Sequence, residues 1–231
     1  TYPFSVVRHD NQIYGYFGGI TRGESVPFYA SIGCAVSTDD GESFQKIGPG
    51  PVLTASLHEP YMICSPKVRI WDGKWYLFYS AGYRWTKESV RPEICYKLRM
   101  AVSDDGIHWE KCGRNIIKDR LGELESQACA DVTYQNGVYH MFFCYRNHTD
   151  FRNNPENSYR IGYARSLDLT HWERDDDRAG IERSQELGSQ DNEMVAYPHV
   201  FVCDGKTYML YLGNEVGKCG FLLAELKGEL A

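Results

Sequence analysis

Two carboxylates stand directly before an apolar stretch late in the chain, in D-N-E-M-V-A-Y-P-H-V-F-V-C-D-G-K-T-Y-M-L-Y-L-G-N from Asp191 to Asn214. The strand expected after Glu193 would shield that acid from water, and shielding raises the pKa of a carboxyl group until it can donate a proton. The alternative for Glu193 is a solvated loop acid. Asp131 interrupts the apolar run C-A-D-V, where an acid is costly unless it is paired or faces a channel. These acids are candidates for general acid–base chemistry.

A β-hairpin follows the first of these acidic stretches. Asp204-Gly205 is a two-residue turn of the kind that needs positive φ, and it separates aromatic from β-branched runs. The same pattern recurs at three earlier turns, which are Asp10-Asn11, Asp72-Gly73 and Asn136-Gly137. The chain therefore contains four related hairpins.

A second element alternates with the hairpins, in A-V-S-T-D-D-G-E-S-F, A-V-S-D-D-G-I-H-W-E and A-R-S-L-D-L-T-H-W-E. Its serines, Ser37, Ser103 and Ser166, lie about 65 residues apart, and a fixed period of that size indicates a repeat architecture. Each repeat supplies four strands. The acids of this element are predicted to form turns rather than to catalyse; they are Asp39, Asp40, Asp104, Asp105 and Asp168.

Four-stranded repeats predict an all-β chain of the β-propeller type, folded as a single domain. The predicted blades span roughly 1–48, 60–113, 127–175 and 193–231, and the last is one strand short. A propeller closes by completing its last blade with a strand from the other end of the chain. We therefore expect a further blade before residue 1, which makes this chain an N-terminally truncated five-bladed propeller of about four blades.

Composition excludes several function classes. The 231 residues carry a net charge of −6 without basic clusters, which argues against a nucleic-acid partner. The eight cysteines contain no C-x-x-C pair and are expected to be buried free thiols in a reducing cytoplasm. No apolar segment approaches the roughly 20 residues of a membrane span. Metal-ligand spacing is absent as well, so neither a metal nor another cofactor is expected; the oligomeric state stays open.

The A-x-S-x-D-G-x-x-W units, the D-G-x-x-Y-x-L-Y hairpins and the Glu59-Pro60 pair resemble the five-bladed propeller glycosidases of glycoside hydrolase families 32, 43, 68 and 130. The chain is most similar to bacterial family 32 or 43-like proteins associated with surface-polysaccharide genes. The resemblance covers nearly the whole chain. It implies a glycoside hydrolase or transglycosylase that acts on a bacterial glycan or oligosaccharide through paired carboxylates.

In such propellers, the innermost strand of each blade carries catalytic side chains towards the channel mouth. The resemblance thus makes Glu193 the general acid and Asp131 a second carboxylate or pKa modulator, with Asp191 and Glu59 as further catalytic candidates. A carbohydrate would contact the polar residues that end the second strands, which are Arg84 with Trp85, Arg146, and Asn214 with its neighbour Glu215. Glu125, Tyr197 and His199 are further candidates for substrate binding. An arginine beside an aromatic ring can bind an acidic sugar or a sugar phosphate. The alternative is that these side chains are simply solvated at the end of a strand.

Two departures from the family pattern leave other functions open. The first strand, T-Y-P-F-S-V-V, holds no acid, and Lys67 stands where a family 43 enzyme is expected to keep an aspartate. A non-catalytic glycan-binding propeller, a glycoside phosphorylase and a scaffold for polysaccharide assembly are therefore alternatives.

Overall fold

A computed structural model describes residues 2–87, 92–218 and 220–230. Its strands form four antiparallel sheets in which neighbours in sequence are neighbours in space. This is the all-β arrangement of propeller blades that the repeats predict, and the fold prediction is confirmed. The chain divides into two compact units, residues 1–115 and 116–231. The boundaries of the blades and the further blade before residue 1 stay predictions.

Unit 1 contains two four-stranded sheets. The first runs β1 (Tyr2–His9), β2 (Gln12–Arg22), β3 (Phe28–Ser37) and β4 (Gln45–Lys46). The second runs β5 (Ile63–Trp71), β6 (Lys74–Thr86), β7 (Glu93–Ser103) and β8 (Glu110–Lys111). Trp75, Tyr79 and Leu77 are almost fully buried in the core of this unit, between the two sheets.

Unit 2 contains one sheet of four strands and one of three. The first runs β9 (Ser126–Gln135), β10 (Val138–Arg146), β11 (Arg160–Ser166) and β12 (Glu173–Arg174). The second runs β13 (Ala196–Cys203), β14 (Lys206–Leu212) and β15 (Phe221–Glu225). Single helical turns lie at Pro155–Asn157 and Asp176–Arg178, and a turn with left-handed backbone angles lies at Asn214–Gly217. No helix in the described part of the chain is long and apolar enough to cross a membrane.

The four hairpin turns form where the sequence predicts them. Their first residues, Asp10, Asp72, Asn136 and Asp204, have φ values of 51°, 50°, 52° and 50°. Aspartate and asparagine tolerate this left-handed region better than other non-glycine residues, which explains their choice here.

The serine–aspartate element also forms turns, as predicted. The Asp168 carboxylate accepts hydrogen bonds at 2.8 Å from the backbone N–H groups of Thr170 and His171 and lies 2.7 Å from the His171 ring. These bonds hold the pKa of Asp168 well below its usual range, because they stabilise the charged form. Asp105 accepts the same bonds from Ile107 and His108.

The first strands β5, β9 and β13 each carry a β-bulge, which the sequence analysis did not predict. The pairing register shifts beside Ser65, Cys129 and Tyr197, whose φ values are 53°, 52° and 56°. A bulge bends its strand and re-aims the residues that follow it. Two residues after each bulge come Lys67, Asp131 and His199, so these three side chains occupy equivalent places in their strands.

Candidate functional site

A cavity of about 430 Å³ lies in unit 2, where β10 and β14 end and β13 begins. Three segments form it: the loop that follows β10, the residues just before β13, and the turn that follows β14. The lining residues are Phe151, Arg152, Asn153, Pro155, Ser158, Tyr159, Glu193, Met194, Glu215 and Val216. The cavity therefore combines two carboxylates, one guanidinium group, two aromatic rings and neutral polar groups.

Arg146 supports the first wall from beneath. Its side chain is 2% exposed, and its guanidinium carbon lies 3.5 Å from the centre of the Phe151 ring. It donates hydrogen bonds to the carbonyl oxygens of Asn147 and His148 at 2.9 and 3.2 Å. Sequence analysis predicted that Arg146 binds substrate, but burial beneath Phe151 favours an indirect role in which it fixes the loop.

Asn214 positions the segment that carries Glu193. Its amide oxygen accepts the N–H groups of Glu193 and Met194 at 2.9 and 3.3 Å. Its amide nitrogen donates to the backbone oxygen of Ser189 and the side chain of Asn192 at 3.0 and 2.7 Å. Both the oxygen and the nitrogen of the Asn214 side-chain amide therefore bind this loop, and these bonds fix the backbone of Glu193.

The Glu193 side chain is exposed at the cavity wall, so the apolar strand that follows does not cover it as the sequence suggested. Its carboxylate makes no ion pair with any described residue. Asp191 lies two residues earlier and does not line the cavity. It accepts hydrogen bonds from Tyr211 at 2.9 Å and Ser189 at 3.1 Å. Burial, together with the bond to Asp191, raises the pKa of Tyr211 to about 12.

Glu215 is the second carboxylate of the cavity and lies in a strained turn. Glu215 and Val216 have φ values of 55° and 57°, and Gly217 continues with 79°. A β-branched residue such as Val216 rarely adopts the left-handed region, and such strain concentrates at functional sites. Lys218 pairs with the Glu215 carboxylate at 2.7 Å. The sequence placed Glu215 at a strand end but gave no signal of the cavity it shares with Glu193.

Asp131 connects the two sheets of unit 2. It is 1% exposed, and one carboxylate oxygen lies 2.7 Å from Nδ1 of His199 and accepts the N–H of Val200 at 2.9 Å. Unit 1 contains an equivalent hydrogen bond between a backbone N–H and a side chain, in which the N–H of Val68 donates to the Ser5 hydroxyl at 3.0 Å. Neither Asp131 nor the half-exposed His199 lines the cavity.

Glu59 and Glu125 are buried in ion pairs. Glu59 is 1% exposed, contacts Lys111 and accepts hydrogen bonds from Tyr79 at 2.8 Å and Arg99 at 3.1 Å. Glu125 is fully buried and accepts a bond from Arg174 at 2.6 Å. Removal of one partner from such a pair leaves an uncompensated buried charge, so both acids hold loops to the outer strands. This geometry does not favour the catalytic and binding roles predicted for them.

The remaining predicted residues divide between the units. Tyr197 lies at the β13 bulge with its ring 5.8 Å from that of Tyr159, next to the cavity. Arg84 and Trp85 belong to the end of β6 in unit 1, where Arg84 is exposed and Trp85 meets Phe28 edge-on at 5.4 Å. No group of three or more histidine, cysteine, aspartate or glutamate side chains among the described residues could hold a metal ion.

A search with protein-family models finds no match for this sequence. The uncharacterized protein Rv1502 of Mycobacterium tuberculosis is 33% identical over 224 residues, which make up 96% of this chain and 70% of the relative. Identity at this level over this length decides the family. The chain belongs to the family of Rv1502.

Comparison with solved structures identifies the fold of this family. The Bombyx mori GH32 β-fructofuranosidase BmSUC1 superposes with a TM-score of 0.65 at 17% identity, over 91% of this chain and 43% of the enzyme. The family 117 glycoside hydrolase Zg3597 of Zobellia galactanivorans gives 0.63 at 16% identity, over 96% of this chain and 68% of that protein. The Rv1502 family thus has the propeller fold of these glycoside hydrolases, and this chain spans less than half the length of BmSUC1.

The sequence analysis missed one residue of the cavity in this member of the Rv1502 family. Arg152 lines the cavity and lies over the Phe151 ring, with 4.4 Å from guanidinium carbon to ring centre. Residues 151–160 read F-R-N-N-P-E-N-S-Y-R, and the arginine that directly follows an aromatic residue at the start of this stretch was the available signal.

Proposed function

We propose that this chain is a carbohydrate-active propeller of the glycosidase type, which binds a sugar in the unit 2 cavity and cleaves its glycosidic bond. The observation that carries the proposal is that Glu193 and Glu215 line one cavity together with aromatic side chains. Cleavage of a glycosidic bond requires two carboxyl groups on either side of the bond. The propeller fold shared with glycoside hydrolases supports the same reading.

Glu193 acts as the proton donor to the leaving oxygen in this mechanism. Its backbone is held by Asn214, whereas its carboxyl group makes no ion pair in the described part of the chain and is available to substrate. Glu215, oriented by Lys218 at 2.7 Å, is the base or nucleophile. Which of the two it is depends on the separation of the carboxyl groups when substrate is bound.

The rest of the cavity suits a sugar ring. Phe151 and Tyr159 offer apolar ring surface, and the aliphatic hydrogens of a pyranose pack against such surfaces. Asn153 and Ser158 add neutral groups that can form hydrogen bonds with hydroxyls. Arg160 donates to the carbonyl oxygens of Ser158 and Tyr159, both at 3.1 Å, which keeps this wall preorganised.

The test is a screen of the purified chain against aryl glycosides and oligosaccharides, repeated with Glu193→Gln. We expect this variant to lose about 100-fold or more of turnover, the range typical of a missing general acid, with sugar affinity nearly unchanged. Glu186→Gln is the matched control, because Glu186 is exposed in the same loop region but does not line the cavity. Full turnover in Glu193→Gln would remove Glu193 from the mechanism.

A glycan-binding propeller without turnover is the second candidate, and one observation favours it. The places equivalent to Asp131 in the other bulged strands hold Lys67 and His199, so no second acid projects from those strands. Sugar binding without product, unchanged in Glu193→Gln, would select this candidate.

A further inference from the structure

The turn that follows β14 has a left-handed backbone at three consecutive residues. Glu215 and Val216 have φ and ψ values of 55° and 33° and of 57° and 44°, and Gly217 has a φ of 79°. Glycine adopts this region freely, whereas the branched Cβ of valine makes it costly. Such a conformation persists only where the surrounding structure imposes it. The presence of valine at position 216 therefore requires an explanation.

The two ends of the turn fix its backbone. The Asn214 N–H donates to the carbonyl oxygen of Gln190 at 2.7 Å, and the Gly217 N–H donates to the carbonyl oxygen of Gly213 at 3.3 Å. The chain passes so close to the neighbouring loop that a Cβ at Gly213 would lie 2.1 Å from the Gln190 oxygen. None of these bonds uses the side chain at position 216. Glycine or asparagine there would allow the same turn with less strain.

The Val216 side chain lies at the cavity wall. It is 46% exposed and lines the cavity next to Glu215. Met194, another apolar residue of the lining, is only 5% exposed, so protein atoms already cover most of its surface. A sugar hydroxyl placed against valine would lose its hydrogen bonds to water and gain no partner. We therefore expect an apolar group of the sugar to pack against Val216.

We propose that Val216 makes the cavity selective for a 6-deoxy sugar, whose methyl group packs against the valine side chain. Such a sugar differs from its parent hexose by one hydroxyl group, and valine cannot form a hydrogen bond with that group. The contact explains why a branched apolar residue occupies a left-handed position, since strain of this kind is retained where it serves a site. This inference rests on the proposed function, because it assumes that the cavity binds carbohydrate.

The experiment is calorimetric titration of the full chain with two pairs of methyl glycosides whose members differ only in the hydroxyl at carbon 6. The pairs are D-fucose with D-galactose and L-rhamnose with L-mannose. We expect about 10-fold tighter binding of the deoxy member in at least one pair. Val216→Thr keeps the branched shape but adds a hydroxyl, so it should remove most of this preference. Val202→Thr, the same change at an exposed valine of β13 that does not line the cavity, is the matched control.

A second variant tests the strain at this position. Asparagine adopts the left-handed region more readily than valine, so Val216→Asn should raise the urea midpoint of unfolding. The same variant should lose the preference for the deoxy sugar, because its side chain is polar. A gain in stability together with a loss of selectivity is the result expected of a residue retained for binding. A lower urea midpoint would show that valine stabilises the turn itself and would overturn the inference.

The outcomes separate this inference from the proposed function. Equal affinity within both pairs, unchanged in Val216→Thr, overturns the selectivity and leaves the glycosidase proposal standing. Tighter binding of methyl N-acetylglucosaminide than of either deoxy sugar overturns the assignment to a 6-deoxy sugar, because the apolar wall would then bind an acetyl methyl group. Failure of every sugar to bind, in these titrations and in the glycoside screen, overturns both proposals. Because Val216 is half-exposed, its variants should fold, and circular dichroism checks this.

Discussion

The contacts of Asp131 favour a structural role over the catalytic role that the sequence predicts for it. Its buried oxygen accepts the Val200 N–H and contacts His199, so it joins the inner strands β9 and β13. A buried acid within a strand suggested catalysis from the sequence alone. The matching bond from Val68 to Ser5 in unit 1, where no acid is present, favours a structural bridge.

Asparagine and alanine at this position distinguish the two roles. Asp131→Ala leaves the N–H of Val200 without its acceptor, so we expect a loss of about 3 kcal/mol in the free energy of unfolding. Asp131→Asn keeps an acceptor oxygen and should lose only about 1 kcal/mol. Urea unfolding measures both, with Ser5→Ala as the equivalent change in unit 1. If Asp131→Asn is stable but loses turnover about 100-fold, the acid is part of the chemistry after all.

Pairs of distant residues explain why the burial of Glu59 and Glu125 escaped sequence analysis. Glu125 meets Arg174, 49 residues later, and Glu59 meets Lys111, 52 residues later. Hydrophobic periodicity carries no information about such pairs, because each partner is charged and the pairing depends on how loops cross the sheet. The types of these residues were visible in the sequence, but their partners were not.

At the scale of the element, the repeated turns are the part that sequence predicts best. Asp39 accepts hydrogen bonds from the Ser37 hydroxyl at 2.6 Å and from the Ser43 N–H at 2.9 Å. These local bonds lower the pKa of Asp39 to about 2, with the Ser37 hydroxyl the largest cause. All partners lie within four residues, so a short motif contains the complete turn.

The lowered pKa predicts a pH dependence of stability. Because the folded pKa lies below the unfolded value of 3.8, the contribution of Asp39 is fully present above 3.8 and is lost as the pH falls through about 2. The difference in urea midpoint between wild type and Asp39→Asn should therefore shrink across that window. Asp72→Asn, in a hairpin turn that tolerates asparagine, is the control. A difference that stays constant down to the acid end would contradict this assignment.

Bulges and strained turns were not predictable at this scale. Ser65, Cys129 and Tyr197 are not residues that favour positive φ, yet each lies at a bulge where the first strand of its sheet pairs with the second in a shifted register. The left-handed Val216 is a similar case, since a β-branched residue gives the opposite local signal. Both features depend on pairing and packing rather than on local propensity.

At the scale of the whole molecule, repetition made the fold predictable. Four turns of one type and three copies of a serine–aspartate element predicted four successive sheets, and the structure has them. The cavity could not be predicted in this way, because its walls come from three segments that differ from repeat to repeat. The cavity walls are thus loop segments, while the sheets have the fold that other propellers share.

The cysteines allow the described fold to be checked as a whole. Cys34, Cys64, Cys95 and Cys144 are buried, Cys129 is partly buried, and Cys112 and Cys203 are exposed; all seven are free thiols. Because Cys219 lies outside the described residues, the measurement uses a Cys219→Ser variant.

Titration of that variant with a thiol reagent should give two reactive equivalents in the folded state and seven after unfolding. Burial around the sulfur raises the pKa of Cys112, which lowers its thiolate fraction and slows its reaction below that pKa. Serine at position 112 and serine at position 203 should each remove one of the two equivalents. Rapid reaction of four or more thiols without denaturant would mean that the strands carrying the buried cysteines are not packed as described. Fewer than seven in the unfolded chain would show that disulfides form, against the prediction of free thiols.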